Sequence, residues 1–189
     1  NTAGSCDNTG SACSLIDNSG SWSIEALGQT SFNFGTDDNN AHVQPGGSYH
    51  YHGMPEGFIV KRGGNSADMT LIGWASDGFP VYARYGYTVA NDSSSAIKII
   101  KPSWKLKMTG DAGRPDKLTV LLGPPGAGDS YPNTAIPLGG FTQDFEYEEG
   151  YGDLDQCNGR IGVTPEFPEG IYYYMVTDEF PYFSRFLKG

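Results

Sequence analysis

The chain has 189 residues, 38% hydrophobic and 13% aromatic, with 27 glycines, 12 prolines and three cysteines, a length that allows one domain with a real core. Its formal net charge of −10, from 22 acidic against 12 basic residues, excludes nucleic acid as a partner, because a polyanion would be repelled over most of the surface. No apolar run approaches the roughly 18–20 residues that cross a bilayer, so no membrane span is expected.

The Gly, Pro and aromatic content favours strands over long helices. The expected fold is mostly β, a single domain of antiparallel strands, sandwich or barrel-like, with long irregular Gly/Pro-rich loops. Residues 1–20 read as a polar loop in which Cys6 and Cys13 bracket DNTGSA, a spacing that a local disulfide can close; no regular element is expected before Ser21. That bridge, the scarcity of lysine and the sequon at Asn91 fit export, so a secreted or periplasmic location is expected, with any leader already removed before Asn1. Alternation of Trp22, Ile24 and Ala26 predicts a strand with one buried face, Ser31–Phe34 continues or pairs with it, and Thr36–Asn40 is a turn.

Residues 41–55, AHVQPGGSYHYHGMP, hold all three histidines of the chain, His42, His50 and His52. On an extended strand His50 and His52 share one face while Tyr49 and Tyr51 take the other. Gln44-Pro45-Gly46-Gly47 is turn-prone and can fold the chain back to bring His42 to the same face. Three converging neutral imidazoles form a transition-metal site with an open position for water or substrate. The same trio also suits a hydrogen-bonding or pH-sensing cluster, or a merely solvated strand face.

Further on, Gly57 and Gly63-Gly64 bracket Phe58-Ile59-Val60, a buried strand or the start of a helix. Met69–Ala75 and Phe79–Tyr87 form a hairpin through Ser76-Asp77-Gly78. Ala96–Lys101 and Trp104–Met108 alternate as half-exposed strands, interrupted at Pro102. Residues 109–140 form the longest irregular region, with one apolar island at Leu118–Leu122. The acidic stretch Asp144–Asp155 reads as a solvated face. Gly170–Thr177 is strongly β-prone, and the aromatic tail Phe180–Leu187 packs back onto the core. Cys157 is a buried free thiol, a partner in another pairing or a soft metal ligand. There are no internal repeats and no domain linker.

Tyr49-His50-Tyr51-His52-Gly53, Gly73–Tyr82 (GWASDGFPVY), Leu154–Arg160 (LDQCNGR), Thr164–Tyr172 (TPEFPEGIY) and Phe180-Pro181-Tyr182 together make the sequence resemble the YHYH-domain family of secreted proteins over about residues 40–189. The resemblance implies an extracellular setting and a metal site, and names no reaction. Family members also carry a cysteine in the C-terminal tail, where this chain has Ser184-Arg185-Phe186; the pairing of Cys157 stays open.

Imidazole suits copper and zinc, and affinity along the first-row series peaks at copper, so copper is expected before zinc. Residue 1 is Asn, which removes the amine-plus-imidazole site of oxidative polysaccharide enzymes. His50-x-His52 with Glu56 and Gly63 is similar to the first metal motif of cupins, without their downstream histidine. The paired histidines also look like those of α-type carbonic anhydrases, whose third ligand lies downstream rather than upstream. Candidates for the shell around the ion are Asp77, Glu56 and Tyr49, then Asp155 and Gln44. Asp77 also suits its own hairpin turn and Glu56 suits solvent. Asp153-x-Asp155 with Asn158-Gly159 resembles the start of a calcium loop, but its spacing is too long and no bidentate glutamate follows. No nucleophile elbow or phosphate-cradling loop is present.

Three functions follow. The first is a secreted transition-metal-binding protein, with or without metal-dependent chemistry. The second is a zinc hydrolase or hydratase that uses the same triad. The third is a non-enzymatic sugar- or peptide-binding module built on Trp22, Trp74, Trp104 and the tyrosines.

Overall fold

The computed structural model describes residues 4–8, 13–15, 19–30, 34–44, 46–122 and 129–189, with backbone alone at 118–122 and 129–133. In chain order its strands are β1 (Ser5–Cys6), β2 (Cys13–Ser14), β3 (Trp22–Ser23), β4 (Ala41–Val43) and β5 (Tyr49–Tyr51), then one helix, α1 (Glu56–Lys61). There follow β6 (Thr70–Trp74), β7 (Pro80–Ala83), β8 (Tyr85–Tyr87), β9 (Ile97–Ile99), β10 (Trp104–Leu106), β11 (Lys117–Leu122) and β12 (Asp129–Ala135). A 3-10 turn at Thr142–Asp144 precedes β13 (Phe145–Tyr147), β14 (Gly159–Gly162) and β15 (Ile171–Val176). The chain is therefore mostly β, with several antiparallel sheets and no closed barrel among the described residues.

Two compact units are present, the first of residues 1–36, 42–50 and 106–146, the second of 37–41, 51–105 and 147–189. The first holds a five-stranded sheet in the order β12-β11-β2-β1-β3. Two of its strands lie in the N-terminal segment that was expected to lack regular structure: the Cys6–Cys13 disulfide holds β1 against β2, with Cys6 opposite Cys13. A covalent tie between paired positions lets two-residue strands persist where polar side chains give no apolar period. Cys6, Cys13, Trp22, Ile24, Ile136 and Phe141 pack together as this unit's core. Trp22 and Ile24 are buried as their alternation predicts, Ile24 bridging to Phe141. Most of the strand expected at Ser31–Phe34 lies outside the described residues. The region 109–140 conceals the β11–β12 pair; β11 contains the apolar island, whereas the DSYPNTA of β12 has no strand signature.

Asp144 is fully buried in this unit, which corrects the solvated reading at the start of the acidic stretch. Arg114 grips its carboxylate through Nε (2.5 Å) and Nη2 (2.8 Å), and the N–H groups of Gly139 and Phe141 donate to Oδ2 at 2.9 and 3.0 Å. A buried charge is tolerated when it is paired and its lone pairs are filled in this way. Glu146, Glu148 and Glu149 are exposed, as expected.

The second unit is built on β15, which lies between β14 (antiparallel) and β7 (parallel) in the order β14-β15-β7-β6. Being central and covered on both faces, its IYYYMV needs no polar alternation: Tyr172 to Val176 are all buried. Tyr82, Tyr173, Met175, Ile100 and Leu154 pack together beside it. The family-like motifs serve this sheet. Asp155 caps the turn into β14 by accepting the N–H groups of Cys157 (2.9 Å) and Gly159 (3.1 Å). Asn158, left-handed at φ 57°, donates to the carbonyl of Met175 at 2.8 Å. Gly159 has no room for a side chain, since a Cβ would sit 2.3 Å from the Tyr172 hydroxyl. The expected hairpin through Asp77-Gly78 forms between β6 and β7, with Gly78 at φ 87°. Phe58-Ile59-Val60 resolves as helix, and Ile97–Ile99 pairs with Tyr85–Tyr87. Phe180 is buried, while Phe186 and Leu187 stay exposed, so the tail packs back only in part.

Candidate metal centre

The histidine segment is a local hairpin, β4 against β5. Its entry is set by Asp37, whose Oδ1 accepts the N–H groups of Asn39 (2.8 Å) and Ala41 (3.2 Å) while its own N–H donates to the Ala41 carbonyl. Asn40 takes the left-handed conformation at φ 55°, which asparagine tolerates better than most residues. At the tip, Gln44 N–H donates to Ser48 O and Gly47 N–H to Gln44 O. At the exit, His52 N–H donates to Asn40 O at 2.7 Å, and Asn40 Nδ2 donates to Met54 O at 3.0 Å.

That hairpin brings His42, His50 and His52 together, each with a ring nitrogen within 4.8 Å of the others'. Zinc–nitrogen bonds of about 2.0–2.1 Å put two tetrahedral ligands ~3.3 Å apart, so modest ring movement closes the set on one ion. The rings of His42 and His50 lie 4.7 Å apart at 60°. His52 is buried and the other two are half-buried. His42 Nδ1 lies 2.9 Å from the carbonyl of Phe34. A carbonyl can only accept, so Nδ1 carries a hydrogen; in the neutral ring that places the lone pair on Nε2, the tautomer that metal-bound imidazoles adopt. His50 has the same polarity: Nδ1 faces Ser48 O and Nε2 faces the Gln44 amide, each at 3.4 Å. Neutral nitrogen donors in this number suit copper or zinc, and the net charge of −10 attracts cations generally.

The candidate carboxylates are engaged elsewhere. Asp77 Oδ2 accepts from the Tyr174 hydroxyl and from Lys188 N–H. Burial pushes its carboxyl up, but hydrogen bonds from Tyr174 and the backbone of Phe79, Lys188 and Gly189 outweigh this and hold it below the ordinary value. Glu56 pairs with Arg84, which also grips Asp178. Asp153 pairs with Lys98 and Asp155 holds its own turn, so neither offers a free calcium loop. Tyr49 is exposed on β5. Cys157 is a buried free thiol, pushed up by burial and by neighbouring Asp155, and it belongs to a core of Tyr172 and Tyr174 rather than to the histidine cluster. Of the shell candidates, Gln44 meets a histidine ring, its amide nitrogen 3.4 Å from His50 Nε2.

Three contributors escaped the sequence reading: the Phe34 carbonyl, Asn40 and Asp37. The turn-prone Thr36–Asn40 was the signal available for Asp37 and Asn40; the Phe34 carbonyl had none. The proposed stacking surface also divides, because Trp22 is buried and Trp104 donates to Gln156 O at 3.2 Å and packs on Tyr147 and Phe180. Trp74 alone of the three is well exposed, at 59%.

A family model described as YHYH protein matches residues 1–189, which extends the resemblance beyond residues 40–189 to the whole chain. No curated protein and no solved structure matches it.

Proposed function

This chain belongs to the YHYH protein family, and from that premise we propose that His42, His50 and His52 bind one transition-metal ion, copper ahead of zinc, outside the cytoplasm. The supporting observation is the convergence of three imidazole nitrogens within 4.8 Å on one short hairpin. The Phe34 carbonyl lies 2.9 Å from His42 Nδ1 and orients that ring in the cluster. Copper ranks first because three nitrogen donors of neutral charge bind it most tightly among first-row divalent ions. The Cys6–Cys13 disulfide fits an oxidising compartment. When bound, copper would supply one-electron chemistry and zinc Lewis-acid polarisation. The chain's own part is to hold the three imidazoles together, with Asn40 and Asp37 fixing the hairpin ends.

The test is metal analysis of protein prepared without a histidine tag. About one equivalent of copper or zinc is expected, lost on changing His50→Ala together with His52→Ala. Metal content unchanged in that double variant overturns the proposal.

A further inference from the structure

The second unit contains a cavity of 360 Å3, bounded by Tyr51, Phe58 of α1, Trp74 at the end of β6 and Phe183 of the C-terminal segment. Its size is near the lower end of the roughly 300–1,000 Å3 typical of small-molecule sites, which suits one or two rings. Two features restrict what enters. None of the lining side chains is charged, in a chain of net charge −10, so the complementary ligand is neutral. The wall is also two-natured: aromatic residues are joined by Ser76 and Ser184, whose hydroxyl groups can each donate and accept.

Trp74 is 59% exposed and Phe58 37%, so the aromatic surface continues to the rim instead of being sealed inside. Trp74 is steadied by an edge contact with Phe167, ring centroids 6.1 Å apart, which holds the indole at this rim position. A purely apolar ligand would leave the hydroxyl groups without partners, at a desolvation cost. A ring with one face of C–H groups and an edge of hydroxyls satisfies both parts of the wall. We infer that this cavity binds a sugar ring of a neutral oligosaccharide, its apolar face on Trp74 and its hydroxyls toward Ser76 and Ser184. The inference is independent of the metal site.

The test titrates the full chain with cellotetraose, mannotetraose and chitotetraose, and in parallel with tetragalacturonate and p-cresol, following tryptophan fluorescence and amide shifts of residues 72–76. Saturable binding of at least one neutral tetrasaccharide is expected, unaffected by EDTA. Trp74→Ala should weaken it about tenfold or more, while Trp74→Phe keeps most of it. Far-UV circular dichroism and metal content of both variants should match the parent, so a folding defect is distinguishable. Saturation by none of the neutral sugars, binding indifferent to Trp74→Ala, or preference for tetragalacturonate or p-cresol overturns the inference.

Discussion

Tyr174 donates its hydroxyl hydrogen to Asp77, and the backbone N–H of Lys188 reaches both, 2.6 Å from the tyrosine oxygen and 3.2 Å from Asp77 Oδ2. The C-terminal segment is thereby fastened to the β6–β7 turn. Burial first, and then the bond to Asp77, push the Tyr174 hydroxyl up from 10.0 to about 12. A group whose folded pKa is raised stabilises the fold fully below its unfolded value and loses that contribution as the pH climbs through the folded value. Stability measured by urea midpoint should therefore be level up to pH 10 and fall between pH 10 and 12. Tyr82 and Tyr172, raised further by burial, steepen the same fall. Tyr174→Phe should make the decline shallower and cost about 1 kcal/mol at neutral pH. An unchanged slope would show that the hydroxyl is not held by Asp77.

Asp144 and Arg114 form the most buried ion pair among the described residues of the first unit, with side chains 0% and 10% exposed. Removing one member strands the other charge, so Asp144→Ala or Arg114→Ala should each destabilise by about 3–5 kcal/mol. Thermal or urea unfolding of the two variants and their double variant checks this. Nearly equal losses in all three are expected, since the pair acts as a unit.

The Cys157 thiol is buried and its pKa is raised, chiefly by burial and next by Asp155. Thiolate is the reactive form, so alkylation by iodoacetamide at neutral pH should be slow in the folded protein and fast in urea. Rapid labelling of native protein would contradict the burial.

Asn40 holds the exit of the histidine hairpin through its carbonyl to His52 and its amide to Met54, in a left-handed conformation. Asn40→Ala should cost about 1–2 kcal/mol through the backbone and weaken metal binding, because loss of the amide bond to the Met54 carbonyl loosens the hairpin exit next to His52. Asn40→Gly keeps the backbone and should lose mainly affinity. Competition with a chelator of known strength measures both.

Much of this was legible in the residues, for stated reasons. The close spacing of His50 and His52 and the Gln44–Gly47 bend that returns His42 bring the three rings together, although His52 lies just past the end of β5. The Asp77-Gly78 turn, the β15 run and the Leu118–Leu122 island carried strong local signals. What could not be read depended on distant partners. Asp144 resembles its exposed acidic neighbours until Arg114, 30 residues earlier, closes on it. Asp77 looked like a metal-shell candidate because its actual partners, Tyr174 and Lys188, lie about a hundred residues downstream. β1 and β2 have no apolar period, and pairing through a disulfide leaves none to find.

Anomalous scattering across the copper and zinc edges, from crystals of untagged protein supplied with equimolar copper and zinc, bears most directly on the three-histidine site. One ordered ion is expected, bonded at about 2.0–2.1 Å to a ring nitrogen from each of His42, His50 and His52, with the copper signal the stronger. An ion bound elsewhere, or no anomalous peak among the three rings, would contradict it.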